Sequence, residues 1–170
     1  EKSSKSLIRA WDAEDIAITG PGMIDAKGLA FFDTTDIPGG RFFKKPATER
    51  PRIFMALRCR RVRLEDVSLL DSPCWTVWLM KCADVRVHRI TIEADQRMIN
   101  NDGIDIDGCR DVIVSDSRFR TADDCIVLRS IQRMFDDPVP CENITVTNCL
   151  LDSWCQGVRV GCPSDLAIRH

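Results

Sequence analysis

Hydrophobic positions in this chain alternate with polar ones over short runs, and the runs repeat. The phrase CRRVRLEDVSL starts at Cys59, CADVRVHRITI at Cys82, CRDVIVSDSRF at Cys109 and CENITVTNCLL at Cys141; AEDIAITGPGMI, from Ala13, is an earlier copy without the cysteine. Each begins with cysteine or alanine, passes two mostly polar residues and continues with alternating β-branched residues, the period-two mark of a half-buried strand. The anchors Val62, Val85, Val112 and Ile144 lie 23, 27 and 32 residues apart, and Ile16 precedes Val62 by 46, room for two turns with an inserted loop. A period of this size built only from strand phrases predicts an all-β solenoid whose coils stack. The four leading cysteines then form an internal ladder, packed as small apolar residues.

A second strand-like run accompanies these anchors: WTVW at 75–78, GIDI at 103–106, CIVL at 125–128 and GVRV at 157–160. With Thr76/Trp78, Ile104/Ile106, Ile126/Leu128 and Val158/Val160 facing inward, Asp105, Asp107, Arg129 and Arg159 face outward. Asp107 and Arg129 are then neighbours on adjacent coils, a surface ion pair. The residues just before these runs, Cys74, Asp102, Asp124 and Gln156, stack in coil order at the roughly 4.8 Å spacing of strands. Asp102, Asp123 and Asp124 thereby converge on one patch. Residues 26–51 read as a loop inserted into a single domain spanning 1–170, folding over the side of the solenoid or rimming a cleft.

Composition narrows the chemistry. The chain of 170 residues is long enough for one domain with its own core. A formal charge of −2 gives no electrostatic reason to expect nucleic acid or an anionic membrane as partner. No apolar run approaches the roughly 20 residues that span a bilayer. Nine cysteines occur without CxxC pairs or any tight Cys/His grouping, which argues against zinc, and His88 and His170 are the only histidines. Histidine-rich metal sites and Ser-His-Asp chemistry are therefore not expected, nor is any metal or cofactor. A bridge between Cys125 and Cys149 on the next coil is the alternative to free, packed thiols there.

Taken singly, NNDG (100–103) and ADD (122–124) are turn sequences. Stacked without a lysine between them, their aspartates repel, and repulsion pushes at least one carboxyl pKa upward. A protonated acid beside ionised bases is what glycoside hydrolysis requires. A calcium site is the main chemical competitor, because hard cations also collect carboxylate oxygens.

The segments LIRAWDAEDIAITGPGMIDAKG, DSPCWTVWLMKCADVRV and NNDGIDIDGCRDVIVSDSRFRTADDCIVLRS resemble, in order, family 28 of the glycoside hydrolases, the polygalacturonase-like group. The resemblance implies a right-handed, single-stranded parallel β-helix and hydrolysis, with inversion, of a galacturonan- or rhamnogalacturonan-type pectic polysaccharide. It also implies a secreted or periplasmic protein. Carried over position by position, Asp123 is the general acid, Asp102 and Asp124 activate the water, and Asn100 shapes the site.

Two departures stand out. Where the family carries Gly-His-Gly this chain has Cys155-Gln156-Gly157, and Gln156 can hydrogen-bond but not titrate. The family's downstream Arg-x-Lys element does not occur within the 170 residues; Arg159 is a partial substitute. Arg129 and Trp154 complete the candidate substrate contacts. A calcium-dependent polysaccharide lyase and a non-catalytic carbohydrate-binding β-helix remnant are the alternative readings. The family usually has further coils at both ends, so the chain reads as an incomplete fragment whose open ends other chains would cover.

Overall fold

The computed structural model describes residues 5–35, 37–131, 137, 139–163 and 165–169, and these form a parallel β-helix. Each coil supplies strands to three sheets. The first face carries Ser6–Trp11, Arg52–Leu57, Val77–Met80, Ile104–Asp107, Ile126–Arg129 and Val158–Val160. The second carries Glu14–Thr19, Arg60–Glu65, Ala83–His88, Arg110–Ser115, Cys141–Thr147 and Ile168–Arg169. The third carries Met23–Asp25, Ser68–Leu70, Thr91–Glu93, Arg118–Thr121 and Leu150–Ser153. Every pairing is parallel and joins consecutive coils, in the register Ile16, Val62, Val85, Val112, Ile144 that the repeat anticipates.

Parallel sheets need both faces covered, and here the inner faces of all three cover one another. The core runs unbroken from Ile53 to Cys141, with Leu64, Val87 and Val114 stacked on the second face and Leu69, Ile92 and Phe119 on the third. Cys59, Cys82, Cys109 and Cys141 are buried in the same core, and the Cys82 N–H points at the Cys109 sulfur 3.3 Å away. All nine cysteines are free, so Cys125 and Cys149 are not bridged. Cys125 instead lies 3.4 Å from the Thr121 hydroxyl.

The corners explain the polar pairs between strand phrases. The second-face strands begin with a left-handed residue, Asp15, Arg61, Asp84, Asp111 and Asn143 in successive coils. Asp and Asn tolerate that region better than most side chains. The corner side chains ladder across coils: Arg61 to Asp15, Arg60 to Asp84, Asn143 to Asp111 and Arg89 to Asp66. These pairs are exposed, where solvent screens them, so they contribute little to stability.

One register differs from expectation. Val77 and Leu79, not Thr76 and Trp78, enter the core, and Trp78 pairs beside Asp105 on the outer side of the first sheet. There it packs with Met55, Met80 and Trp75, its ring edge-on to Trp75 at 5.2 Å. The cause is a longer corner: six steps separate Asp71 from Val77, whereas five separate Thr121 from Ile126. An extra residue reverses the facing of every side chain that follows.

The inserted segment 26–51 folds back on the corner that leads into the acidic cluster. A 3-10 turn at Gly28–Phe31 delivers Phe32 and Phe43 against Ala94 and Met98. The Phe43 N–H bonds the Arg97 carbonyl at 2.9 Å. The loop therefore rims the first-face corner rather than covering the side of the helix.

Phe119 is fully buried in the main core, between Ile92 and Leu151 of the neighbouring coils. Phe119→Ala should lower the unfolding free energy by about 3–5 kcal/mol, read as a reduced urea midpoint. A loss under 1 kcal/mol would contradict a close-packed core at this coil.

Candidate active site

The acidic residues stand at the corner entering the first face, one coil above another. Main-chain bonds set their positions: Thr76 N–H to Asp102 O at 2.8 Å, Gly103 N–H to Asp124 O at 2.9 Å, and Cys125 N–H to Gln156 O at 2.9 Å. Asp102, Asp124 and Gln156 are thus stacked, as the sequence register anticipates, while Trp75 rather than Cys74 occupies the coil before. Asp123 projects from the corner itself. Its carbonyl receives the hydroxyls of Thr121 at 2.5 Å and Ser153 at 2.7 Å, which hold that peptide still.

The side chains then divide by environment. Asp123 is partly exposed; its Oδ1 accepts the Asp124 N–H at 3.1 Å and its Oδ2 lies 3.5 Å from the Asn100 amide. Asp124 is buried, with Oδ2 accepting from Arg159 at 3.2 Å. Asp102 is also buried, and its Oδ1 has no hydrogen-bond partner among the described residues. Burial pushes the Asp102 carboxyl well above the usual carboxylate range, and the negative charges of Asp105, Asp123 and Asp124 push it further. These surroundings favour the neutral form of the Asp102 carboxyl over its charged form. The Cys155 thiol stands beside Asp123 and Asp124; desolvation first, then those two carboxylates, push it up to about 12.

Four sequence expectations change here. Asp105 and Asp107 do face away from the core, but each is only 1% exposed, not a surface residue. Asp105 lies in the fields of Arg52 and Arg129, and Asp107 accepts the Ile131 N–H at 2.9 Å. Arg129 is Asp107's neighbour in register, yet its guanidinium pairs with Asp165 at 2.7 and 3.1 Å, so the surface Asp107–Arg129 ion pair does not form. Arg129 is thus engaged by Asp165, with its side chain mostly buried. Trp154 is flanked by the inserted loop: the Arg41 guanidinium lies 4.2 Å over its ring and Phe42 at 6.0 Å, leaving only part of its surface for a sugar.

Arg159 turns inward to a carboxylate rather than outward to a ligand. Gln156 keeps an exposed side chain at the rim.

Three contributors have no signal in the sequence register. Arg50, fully buried, donates to Pro73 O at 2.8 Å, Ile99 O at 2.6 Å and Asn100 Oδ1 at 3.2 Å, tying the inserted loop to the residue that steadies Asp123. Asn101 accepts the Ala122 N–H at 2.7 Å and donates to Asp95 O at 3.1 Å, locking the two acidic corners together. Cys155 arrives only because coils stack. The NN doublet was visible as a turn; its second member's role in bridging corners was not.

The acidic corner stands on a parallel β-helix, and the family to which such a chain belongs is shown by its likeness to known proteins. The chain belongs to the family described as glycosyl hydrolases family 28, which it matches over residues 1–162. It is 28% identical over 123 residues to exopolygalacturonase B of Aspergillus niger, covering 68% of this chain and 27% of that protein. A probable polygalacturonase of Vitis vinifera is 29% identical over 126 residues, 74% of this chain and 24% of that protein. The chain thus spans 24–31% of the length of such curated relatives. Among solved structures, the polygalacturonase of Erwinia carotovora superposes with a TM-score of 0.67 at 18% identity, covering 92% of this chain and 45% of that one. The exopolygalacturonase of Thermotoga maritima gives 0.60 at 20% identity, covering 92% and 48%. At these identities the structural likeness bears on the fold.

The buried outer-face carboxylates carry a pH signature. Burial raises Asp102, Asp105 and Asp107 above their unfolded values near 3.9. The folded state therefore binds more protons than the unfolded one above that pH, and the stability these groups contribute is lost as pH rises through their folded values. Asp105→Asn should flatten the decline in urea midpoint between pH 5 and pH 8, leaving the variant the more stable at pH 8. A steeper decline in the variant would show that Asp105 is held ionised by its arginine neighbours.

Proposed function

We propose that the protein is a glycoside hydrolase that cleaves a pectic polysaccharide, galacturonan- or rhamnogalacturonan-type, by acid/base catalysis with inversion. The observation that carries this reading is the stack of Asp102 on Asp124, with Asp123 beside them, in a chain of this family. Asp123 is the member exposed enough to reach a glycosidic oxygen, and it delivers the proton to the leaving group. Asp102 and Asp124 bind and deprotonate the water that attacks the anomeric carbon from the opposite face. Asn100, fixed by Arg50, keeps the Asp123 carboxylate aimed. Gln156 and the free part of Trp154 offer a hydrogen bond and an apolar ring to the sugar chain. The relatives' names include both polygalacturonases and exopolygalacturonases. A pectic substrate places the protein outside the cytoplasm, secreted or periplasmic.

Asp123→Asn should reduce reducing-end release from homogalacturonan or rhamnogalacturonan by about 100-fold or more, the usual contribution of a positioned general acid. Proton NMR of the first products should show the inverted anomer. Retained activity in the variant removes the acid assignment. Products absorbing in the ultraviolet and abolished by chelator would replace the hydrolase with a calcium-dependent lyase, and glycan binding without turnover would leave a binding module.

A further inference from the structure

We propose that Cys155, Asp123 and Asp124 form a site for a borderline-soft divalent cation, Zn2+ being the ion they suit. Among the described residues, one ligand atom from each of the three lies within 4.8 Å of the others. Two of the ligands are adjacent in sequence and the third lies a coil away, so this grouping exists only in the folded helix. A tetrahedral zinc needs donor atoms about 3.5 Å apart, given its usual bond lengths. Asp123 is partly exposed and Cys155 exposed, so small rotations of these two side chains close the difference.

The Asp124 carboxylate supplies the independent sign that something is meant to be bound. Its side chain is 1% exposed and Arg159 engages only Oδ2; the buried Oδ1 has no hydrogen-bond partner among the described residues. An unpaired buried carboxylate oxygen costs free energy that a ligand can recover. Asp102 Oδ1, on the coil below, is likewise buried and unpartnered among the described residues. Asp123 and Asp124 face the single Arg159 guanidinium, so the corner attracts a cation.

The thiol decides which cation. Calcium and magnesium prefer six or more oxygens and gain nothing from sulfur, whereas thiolate ligands select zinc-like ions. On binding, a Zn–S bond forms and the thiol proton leaves to solvent, with no change of oxidation state. An ion so placed occupies the oxygens that the hydrolase reading assigns to acid and base, and would switch that site off. The binding itself does not depend on that reading.

The test is cation binding to the purified protein, which registers whether or not the site turns over a glycan. Competition with a chromophoric chelator should reveal one Zn2+ per chain with micromolar or tighter affinity. Co2+ in place of Zn2+ should give a near-ultraviolet sulfur-to-metal absorption. Cys155→Ser should abolish that absorption and weaken Zn2+ binding about tenfold or more, as loss of one ligand does; Asp124→Asn should also weaken it. Cys149→Ser and Cys162→Ser should leave both readouts unchanged. Equal zinc affinity in Cys155→Ser, displacement of Zn2+ by equimolar Ca2+, or no saturable binding below millimolar Zn2+ would overturn the proposal.

Discussion

The register between consecutive coils is the constraint on which the rest of this protein depends. Backbone amides of one coil donate to carbonyls of the next, so residues far apart in sequence become neighbours at strand spacing. Asp102 and Asp124 are 22 residues apart and Asp124 and Gln156 are 32, yet they form one column. A slip of one residue would turn that column inside out. Gly103 shows how tightly the stacking is held at the acidic corner. A Cβ there would meet the Cys125 carbonyl at 2.2 Å and the Phe119 ring at 2.9 Å. Only glycine lets the Asp102 coil close on the Asp124 coil, so the approach of the carboxylates is built into the backbone.

The second organising fact is where the charge has been put. The outer side of the first sheet, which alternation alone would assign to solvent, buries Arg52, Asp105, Asp107 and Asp124. Ionised groups in such places cost more in lost hydration than their pairing returns, so this face is not arranged for stability. It is a polar floor that shapes the field behind the cluster: Arg52 and Arg129 temper Asp105, Asp165 occupies Arg129, and Asp105 in turn raises Asp102. This layer thereby favours the neutral form of Asp102, directly behind the more exposed Asp123.

Much of this was legible in the chain. The hydrophobic repeat fixes which residues stack, and stacking alone brings Asp102, Asp123 and Asp124 together, because that alignment makes no use of the charged residues. What it missed has physical causes. Trp78 was misplaced because corner length is not periodic, and the one extra step between Asp71 and Val77 reverses the facing. Asp105 and Asp107 were read as exposed because alternation reports which side of a sheet a residue takes, not what covers that side. Arg50 left no trace because its partners, Pro73, Ile99 and Asn100, are reached by a loop that carries no repeat.

The departure from the family's Gly-His-Gly motif looks different once Arg159 is placed. A histidine at that corner could accept and release protons, and Gln156 cannot. The positive charge beside Asp124 comes instead from Arg159, one turn of sequence further along the same strand run. A guanidinium never gives up its proton under physiological conditions. It can orient Asp124 and balance its charge, but it takes no part in proton traffic. Proton exchange in this corner is therefore confined to the carboxylates and to Cys155, and the thiol, pushed up to about 12 beside them, holds its proton at neutral pH. On the proposed hydrolase reading, acid and base are then both sought among the aspartates, since neither Gln156 nor Arg159 can exchange a proton there.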